Sequence, residues 1–100
     1  MADPFRAVAE ANRRALLDAL RGGEQPVGDL VDATGLSYPL VSQHLHVLLD
    51  AGVVERRPDG RRRLYRLEAG PLRAVHDWTA SYERFWSERI DRLRRSLDTP

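Results

Sequence analysis

The segment Leu30–Leu49 constrains this chain more than any other. Leu30-Val31-Asp32-Ala33-Thr34 ends at Gly35, and Leu36-Ser37 leads directly into Tyr38-Pro39-Leu40-Val41-Ser42-Gln43-His44-Leu45-His46-Val47-Leu48-Leu49. A left-handed turn position costs little only for glycine, so Gly35 closes one helix. Ser37 stands where an N-cap belongs, and Pro39 is tolerated in a first helical turn. The second helix, about residues 37–51, is apolar on one side through Val41, Leu45, Leu48 and Leu49. Its other side carries Tyr38, Ser42, Gln43 and His46. An ordinary solvated helix face carries Glu, Lys and Arg. This one is uncharged and rich in hydrogen-bonding groups, the composition of a helix that reads base edges in a DNA major groove. The spacing therefore predicts a helix-turn-helix.

Elements on either side agree. Residues 4–21 have helical apolar spacing through Phe5, Val8, Leu16, Leu17 and Leu20, with Asn12 as the expected break and Gly22-Gly23 as the stop. Pro26 opens the next helix. After Gly52, the runs 53–57 and 61–67 flank Pro58-Asp59-Gly60, a strong turn signal, and predict a two-stranded hairpin. Leu64 and Tyr65 fall on opposite faces of its second strand. Gly70-Pro71 then starts a final helix over about 71–97. Its stripe runs Leu72, Val75, Thr79, Tyr82, Trp86, Ile90, Leu93 and Leu97, widened by Trp78 and Phe85. A helix of about 27 residues is roughly 40 Å long, more than a domain this small needs for its own core. The predicted fold is mainly α with a small β-hairpin: a single winged helix-turn-helix domain over residues 1–100, ending in a long dimerisation helix.

Charge is informative by its distribution. The net charge is +1, and all sixteen basic residues are arginine. Between Val53 and Leu67 stand six arginines (56, 57, 61, 62, 63 and 66) against Glu55 and Asp59. Charged hairpins also serve as soluble edges. Beside a recognition helix this one reads as a wing, with Arg61, Arg62 and Arg63 expected on the phosphate backbone, since phosphate neutralisation drives most DNA affinity. One of Arg56 and Arg57 is expected to fold back over the protein. The expected DNA-binding set is Ser37, Tyr38, Pro39, Ser42, Gln43, His46, Arg61, Arg62 and Arg63, and the partner is double-stranded DNA.

The aromatic stripe allows two readings, a ligand pocket or an interface. Aromatic residues dominate buried contacts, so Phe5, Val8, Val75, Trp78, Tyr82, Phe85 and Trp86 are expected to form a homodimer interface, where a small apolar effector could also sit. No metal or other cofactor is expected. There is no cysteine. His44 and His46 point about 200° apart on one helix, and His76-Asp77 is a thin ligand set. Neither a nucleophile–base arrangement with recognisable context nor a glycine-rich phosphate loop is present, so enzymatic activity is not expected. No run of about 18 apolar residues occurs, and Met1-Ala2-Asp3-Pro4 lacks the features of a signal peptide, so the expected location is the cytoplasm.

These residues also carry a resemblance. Asn12-Arg13-Arg14-Ala15-Leu16-Leu17-Asp18-Ala19-Leu20, Val27-Gly28-Asp29-Leu30, Gly35-Leu36-Ser37, Val41-Ser42-Gln43-His44-Leu45, Ala51-Gly52-Val53-Val54 and Gly60-Arg61-Arg62-Arg63-Leu64-Tyr65-Arg66-Leu67 together resemble the ArsR/SmtB family of bacterial winged-helix repressors. The resemblance spans roughly residues 5–70. It implies a homodimer that represses its own or a neighbouring operon. Many members release DNA on binding metal, and here the sequence departs from the pattern. Where arsenic and cadmium sensors carry cysteines, this chain has Gln25-Pro26-Val27-Gly28. The last-helix positions of zinc and nickel sensors hold Ala69, Pro71, Tyr82 and Phe85. The resemblance thus implies DNA-binding repression without the usual metal ligands. An interaction adaptor of the same fold that has lost DNA binding is the alternative.

Overall fold

The computed structural model describes residues 2–98. In chain order these form α1 (Pro4–Val8), α2 (Ala11–Ala19), β1 (Gln25–Pro26), α3 (Val27–Thr34), α4 (Tyr38–Asp50), β2 (Val54–Asp59), β3 (Arg62–Leu67), α5 (Arg73–Ala80) and α6 (Glu83–Asp98). Single 3-10 turns stand at Leu20–Gly22 and Gly70–Leu72.

Helices α2, α3 and α4 pack around one apolar centre. Leu16, Leu17, Leu20, Leu30, Val41, Leu45 and Leu48 are buried there, and Val53, Val54 and Tyr65 close it from the sheet side. Each fully buried Leu contributes about 1.5–3 kcal/mol of transfer free energy. The turn between α3 and α4 forms as its residues dictate. Gly35 takes φ +72° and its N–H donates to the Val31 carbonyl at 2.9 Å. Thr34 Oγ1 donates to the Leu30 carbonyl at 2.7 Å, and Ser37 Oγ accepts from the Leu40 N–H at 3.3 Å. These bonds give several of the orphan backbone groups at the junction a local partner and so help to set the angle between the two helices.

The first helical stretch breaks earlier than Asn12. Glu10 accepts from the Arg13 N–H at 3.0 Å and so caps α2, while Asn12 lies inside that helix. Arg13 then reaches back to the carbonyls of Arg6 and Ala7, at 2.8 and 3.2 Å, and Arg14 to that of Val8 at 2.7 Å. Two arginine side chains thus satisfy the C-terminal carbonyls of α1. The backbone N–H of Ala2 donates to Asp50 Oδ2 at 2.6 Å, which ties the N-terminal segment to the far end of α4.

The hairpin is part of a three-stranded antiparallel sheet, ordered β1-β3-β2. The two residues of β1 pair with Tyr65 and Leu64. A strand this short has no alternation to detect. Its presence explains why Leu64 is buried as well as Tyr65: Pro26 flanks it on one side and Arg57 on the other. The turn is also tighter than Pro58-Asp59-Gly60. Asp59 pairs with Arg62, leaving Gly60-Arg61 as the loop, with Gly60 at φ +63°. Pro58 lies within β2, which is an edge strand and tolerates the missing donor.

The last helix is not continuous. It divides at Ser81-Tyr82 into α5 and α6. Ser81 Oγ donates to the Trp78 carbonyl at 2.6 Å, and Thr79 Oγ1 bonds the carbonyls of Val75 and His76 at 3.1 and 2.9 Å. The N–H groups of Ser81, Tyr82 and Phe85 then bond three residues back instead of four. Hydroxyl competition of this kind bends or ends helices, and apolar periodicity is blind to it. Among the described residues of α6 none is buried, and the helix extends the molecule to 62 × 29 × 20 Å.

Two expectations follow from this packing. Leu45→Ala should lower unfolding free energy by about 2–5 kcal/mol in urea titrations, because the surrounding helices cannot collapse fully onto the vacated space. The second concerns Glu24, which accepts from Arg57 Nε and Nη2 at 2.8 and 2.9 Å. That hydrogen bond is the main cause of a Glu24 pKa below the usual carboxylate range. A depressed carboxylate stabilises the fold above its unfolded pKa and loses that contribution as pH falls through its folded pKa. Glu24→Gln should therefore lower the melting temperature at neutral pH and leave it unchanged in acid below the carboxylate range. An equal deficit at both would show that the ion pair is not the cause.

Candidate nucleic-acid interface

Burial of Val41, Leu45 and Leu48 fixes the rotation of α4 about its own axis. The opposite side is then committed to solvent. Tyr38, Pro39, Ser42, Gln43 and His46 are all exposed and border one shallow surface together with Val47. Five of the residues singled out on this helix are thus brought together. Ser37 is exposed at the edge, and its oxygen already serves as the N-cap acceptor. His44, about 200° from His46 around the helix, does not border this surface. It is mostly enclosed, with Nε2 at 3.8 Å from Glu10 Oε2, so the cap of α2 also touches α4.

Between α4 and the hairpin lies an open cleft of about 490 Å³. Its base is Pro26, Val27 and Gly28 at the start of α3. One wall is Tyr38 and Ser42, and the other is Arg61, Arg62, Arg63 and Tyr65. The hairpin arginines and the polar side chains at the start of α4 therefore border the same space.

Sequence counting could not distinguish the arginines from one another, but the strand register does. Residues directly opposite each other in an antiparallel pair share a face. Glu55, Arg57 and Asp59 share theirs with Arg66, Leu64 and Arg62. Every arginine on that face has a carboxylate. Arg57 pairs with Glu24, Arg62 Nε lies 3.0 Å from Asp59 Oδ2, and Arg66 Nε lies 2.9 Å from Glu55 Oε2. The hydrogen bonds with Glu24 and Glu55 also raise the pKa values of Arg57 and Arg66, respectively. The other face carries Arg56 and Arg63 with Val54, Pro58, Tyr65 and Leu67, and Arg61 stands in the loop. Arg56, Arg61 and Arg63 have no ion pair among the described residues. Arg57 is the one of its pair that folds back, and its partner Glu24 escaped sequence reading because it lies 33 residues away.

The aromatic residues form a second surface. Phe5 meets Trp78 edge-on with ring centroids 5.8 Å apart, Trp78 meets Tyr82 at 5.6 Å, and Tyr82 meets Phe85 at 6.2 Å. Val8 and Val75 are half-buried, while Trp86, Ile90, Leu93 and Leu97 continue the row along α6. The side chains remain open to solvent, with Trp78 at 55 %, Phe85 at 60 % and Leu93 at 61 % exposure.

Among the described residues no three His, Cys, Asp or Glu side chains gather as metal ligands, and no helix is long and apolar enough to cross a membrane.

Comparison with known proteins agrees with this geometry. The family described as "Bacterial regulatory protein, arsR family" matches residues 10–56. The chain is 36 % identical over 95 residues to the HTH-type transcriptional regulator Rv2034 of Mycobacterium tuberculosis, covering 95 % of this chain and 86 % of that one. It is 30 % identical to the transcriptional repressor SdpR of Bacillus subtilis, over 82 % of this chain and 91 % of the relative. Among solved structures it is similar to the homodimeric winged helix-turn-helix DNA-binding domain of Mb0332 from Mycobacterium bovis. That match has 31 % identity, a TM-score of 0.64, and coverage of 89 % of this chain and 80 % of the other. With α3 and α4 as the helix-turn-helix and β2–β3 as the wing, the chain belongs to the arsR family of bacterial transcriptional regulators.

Proposed function

We propose that the chain acts in the cytoplasm as a homodimeric repressor of its own or a neighbouring operon, with an imperfect palindrome as operator. The observation that carries this reading is the uncharged hydrogen-bonding face of α4 bordering the same cleft as Arg61 and Arg63. Ser42 and Gln43 read base edges from the middle of α4, with Gln43 suited to adenine. Tyr38 and Pro39 meet thymine methyls or backbone at its leading end, Ser37 lies beside them, and His46 donates to a base or a phosphate. Arg61 and Arg63 supply the phosphate contacts. Arg62 joins them at the price of its bond to Asp59.

Dimerisation is supported by the exposed row from Phe5 to Leu97 and by the homodimeric state of the Mycobacterium bovis domain. Repression is supported by the name of the Bacillus subtilis relative. Two copies related by a twofold axis would place their α4 helices in successive major grooves, with half-sites roughly 10 bp apart. The aromatic seam between them is also where a small apolar effector would lodge.

Binding is tested by fluorescence anisotropy with duplexes from the chain's own upstream region and a random competitor. Wild type should prefer an upstream duplex. Gln43→Ala should relax preference at one base pair per half-site, at a cost of about 1–3 kcal/mol against the correct base. Arg63→Ala should weaken every duplex alike and flatten the salt dependence. No preference for any duplex, or an unchanged footprint for Gln43→Ala, would overturn the assignment. Trp78→Glu with Trp86→Glu should yield a helical monomer in analytical ultracentrifugation. A persistent dimer would place the interface elsewhere.

A further inference from the structure

Resting on the DNA-binding reading, we propose that Asp59 is a built-in counter-ion of the wing, which a backbone phosphate must displace from Arg62 before that arginine can grip DNA. Three hairpin arginines carry carboxylates, and their positions differ. Arg57 and Arg66 lie outside the cleft beside α4, whereas Arg62 borders it with Arg61 and Arg63. Its partner Asp59 is directly opposite across the strand pair, beside the Gly60-Arg61 loop, with Nε 3.0 Å from Oδ2. Both side chains are open to solvent, Arg62 at 61 % and Asp59 at 41 %. An exposed pair of this kind is weak and screened by salt, so it is easily exchanged. A phosphate is the natural replacement, because a guanidinium binds its oxygens as well as it binds a carboxylate.

The consequence is an affinity set below what the arginine count implies. When DNA arrives, Asp59 is a negative charge beside the loop of the wing, next to the arginine that would meet the phosphate. Either it releases Arg62 and stays nearby unpaired, or it holds Arg62 and one phosphate goes without its cation. Both penalties are independent of base sequence. Asp59 therefore weakens binding to all duplexes and makes the regulator easier to release, while Gln43 and Ser42 keep the sequence preference.

The test compares wild type, Asp59→Asn, Arg62→Ala and the double variant on a random-sequence duplex of about 30 bp across a salt series, long enough for two recognition helices one helical turn apart. Asn keeps the size of Asp59, which is a strand residue flanking the Gly60-Arg61 loop, so the loop positions themselves are untouched. Asp59→Ser is a second charge-free variant, and thermal melts check that each protein is folded. Asp59→Asn should bind several-fold more tightly. Its log–log salt slope should steepen by about 0.9 per protomer, one added phosphate contact. The gain should vanish in the Arg62→Ala background, because it acts through that arginine. A gain that persists without Arg62 would reduce Asp59 to a diffuse repulsive charge and overturn the proposal, as would unchanged affinity in both charge-free variants. Absence of duplex binding by wild type at low salt would remove the DNA-binding reading itself and this inference with it, a result distinct from a wild type that binds and an Asp59→Asn that does not differ from it.

Discussion

The seating of α4 on α2 and α3 governs the rest of this molecule. Three side chains, Val41, Leu45 and Leu48, are buried at spacings of four and three residues, which leaves α4 a single allowed rotation. Turning it by one residue would bury Ser42 or His46 and expose a leucine. Hydrophobic burial has no direction of its own, yet through helical periodicity it decides which residues of α4 face outward. The Gly35 turn and the Ser37 cap then hold the angle of entry. Specific recognition needs its reading groups held this firmly before the partner arrives, since disorder there would be paid for at binding.

Charge organisation in the hairpin is a second layer built on the first. Antiparallel pairing sorts its residues onto two sides by alternation alone. One side is balanced by Glu24, Glu55 and Asp59, and the other presents Arg56 and Arg63 without partners among the described residues. Six arginines in one short segment would otherwise repel one another. Pairing half of them with carboxylates relieves that repulsion and leaves Arg56, Arg61 and Arg63 without an ion pair among the described residues. The bond from Arg57 to Glu24 also anchors the outer strand to the loop before β1, so the wing is held at both its base and its flank.

Much of this was legible in the residues, and the boundary of legibility has physical causes. Periodicity located α3, α4 and the hairpin because each buries a regular stripe. Gly35 and Ser37 marked the turn because glycine alone adopts its backbone cheaply and serine is a good cap. Missed features were those made by long-range or side-chain hydrogen bonds. The two-residue β1 exists only by virtue of Tyr65 and Leu64. The α1–α2 break depends on Glu10, Arg13 and Arg14, and the division of the last helix on Thr79 and Ser81. Which arginines are neutralised depends on strand register and on Glu24, 33 residues from its partner. An amphipathic pattern reports what a helix buries and carries no information about a hydroxyl that bonds the helix's own carbonyls.

As the proposed dimer seam, the uncovered aromatic row would give the protein a stability tied to its own abundance. Leu97 is 77 % exposed and Phe85 60 % in the single chain, so mass action through a second copy seated there would remove apolar surface that the described residues leave open. Scarce subunits would be the less durable ones, open to proteases and to aggregation. A gene switched by such a subunit would respond to accumulation as a threshold: dilution at cell division would thin the active pairs faster than the total, and turnover of the leftover singles would sharpen the fall.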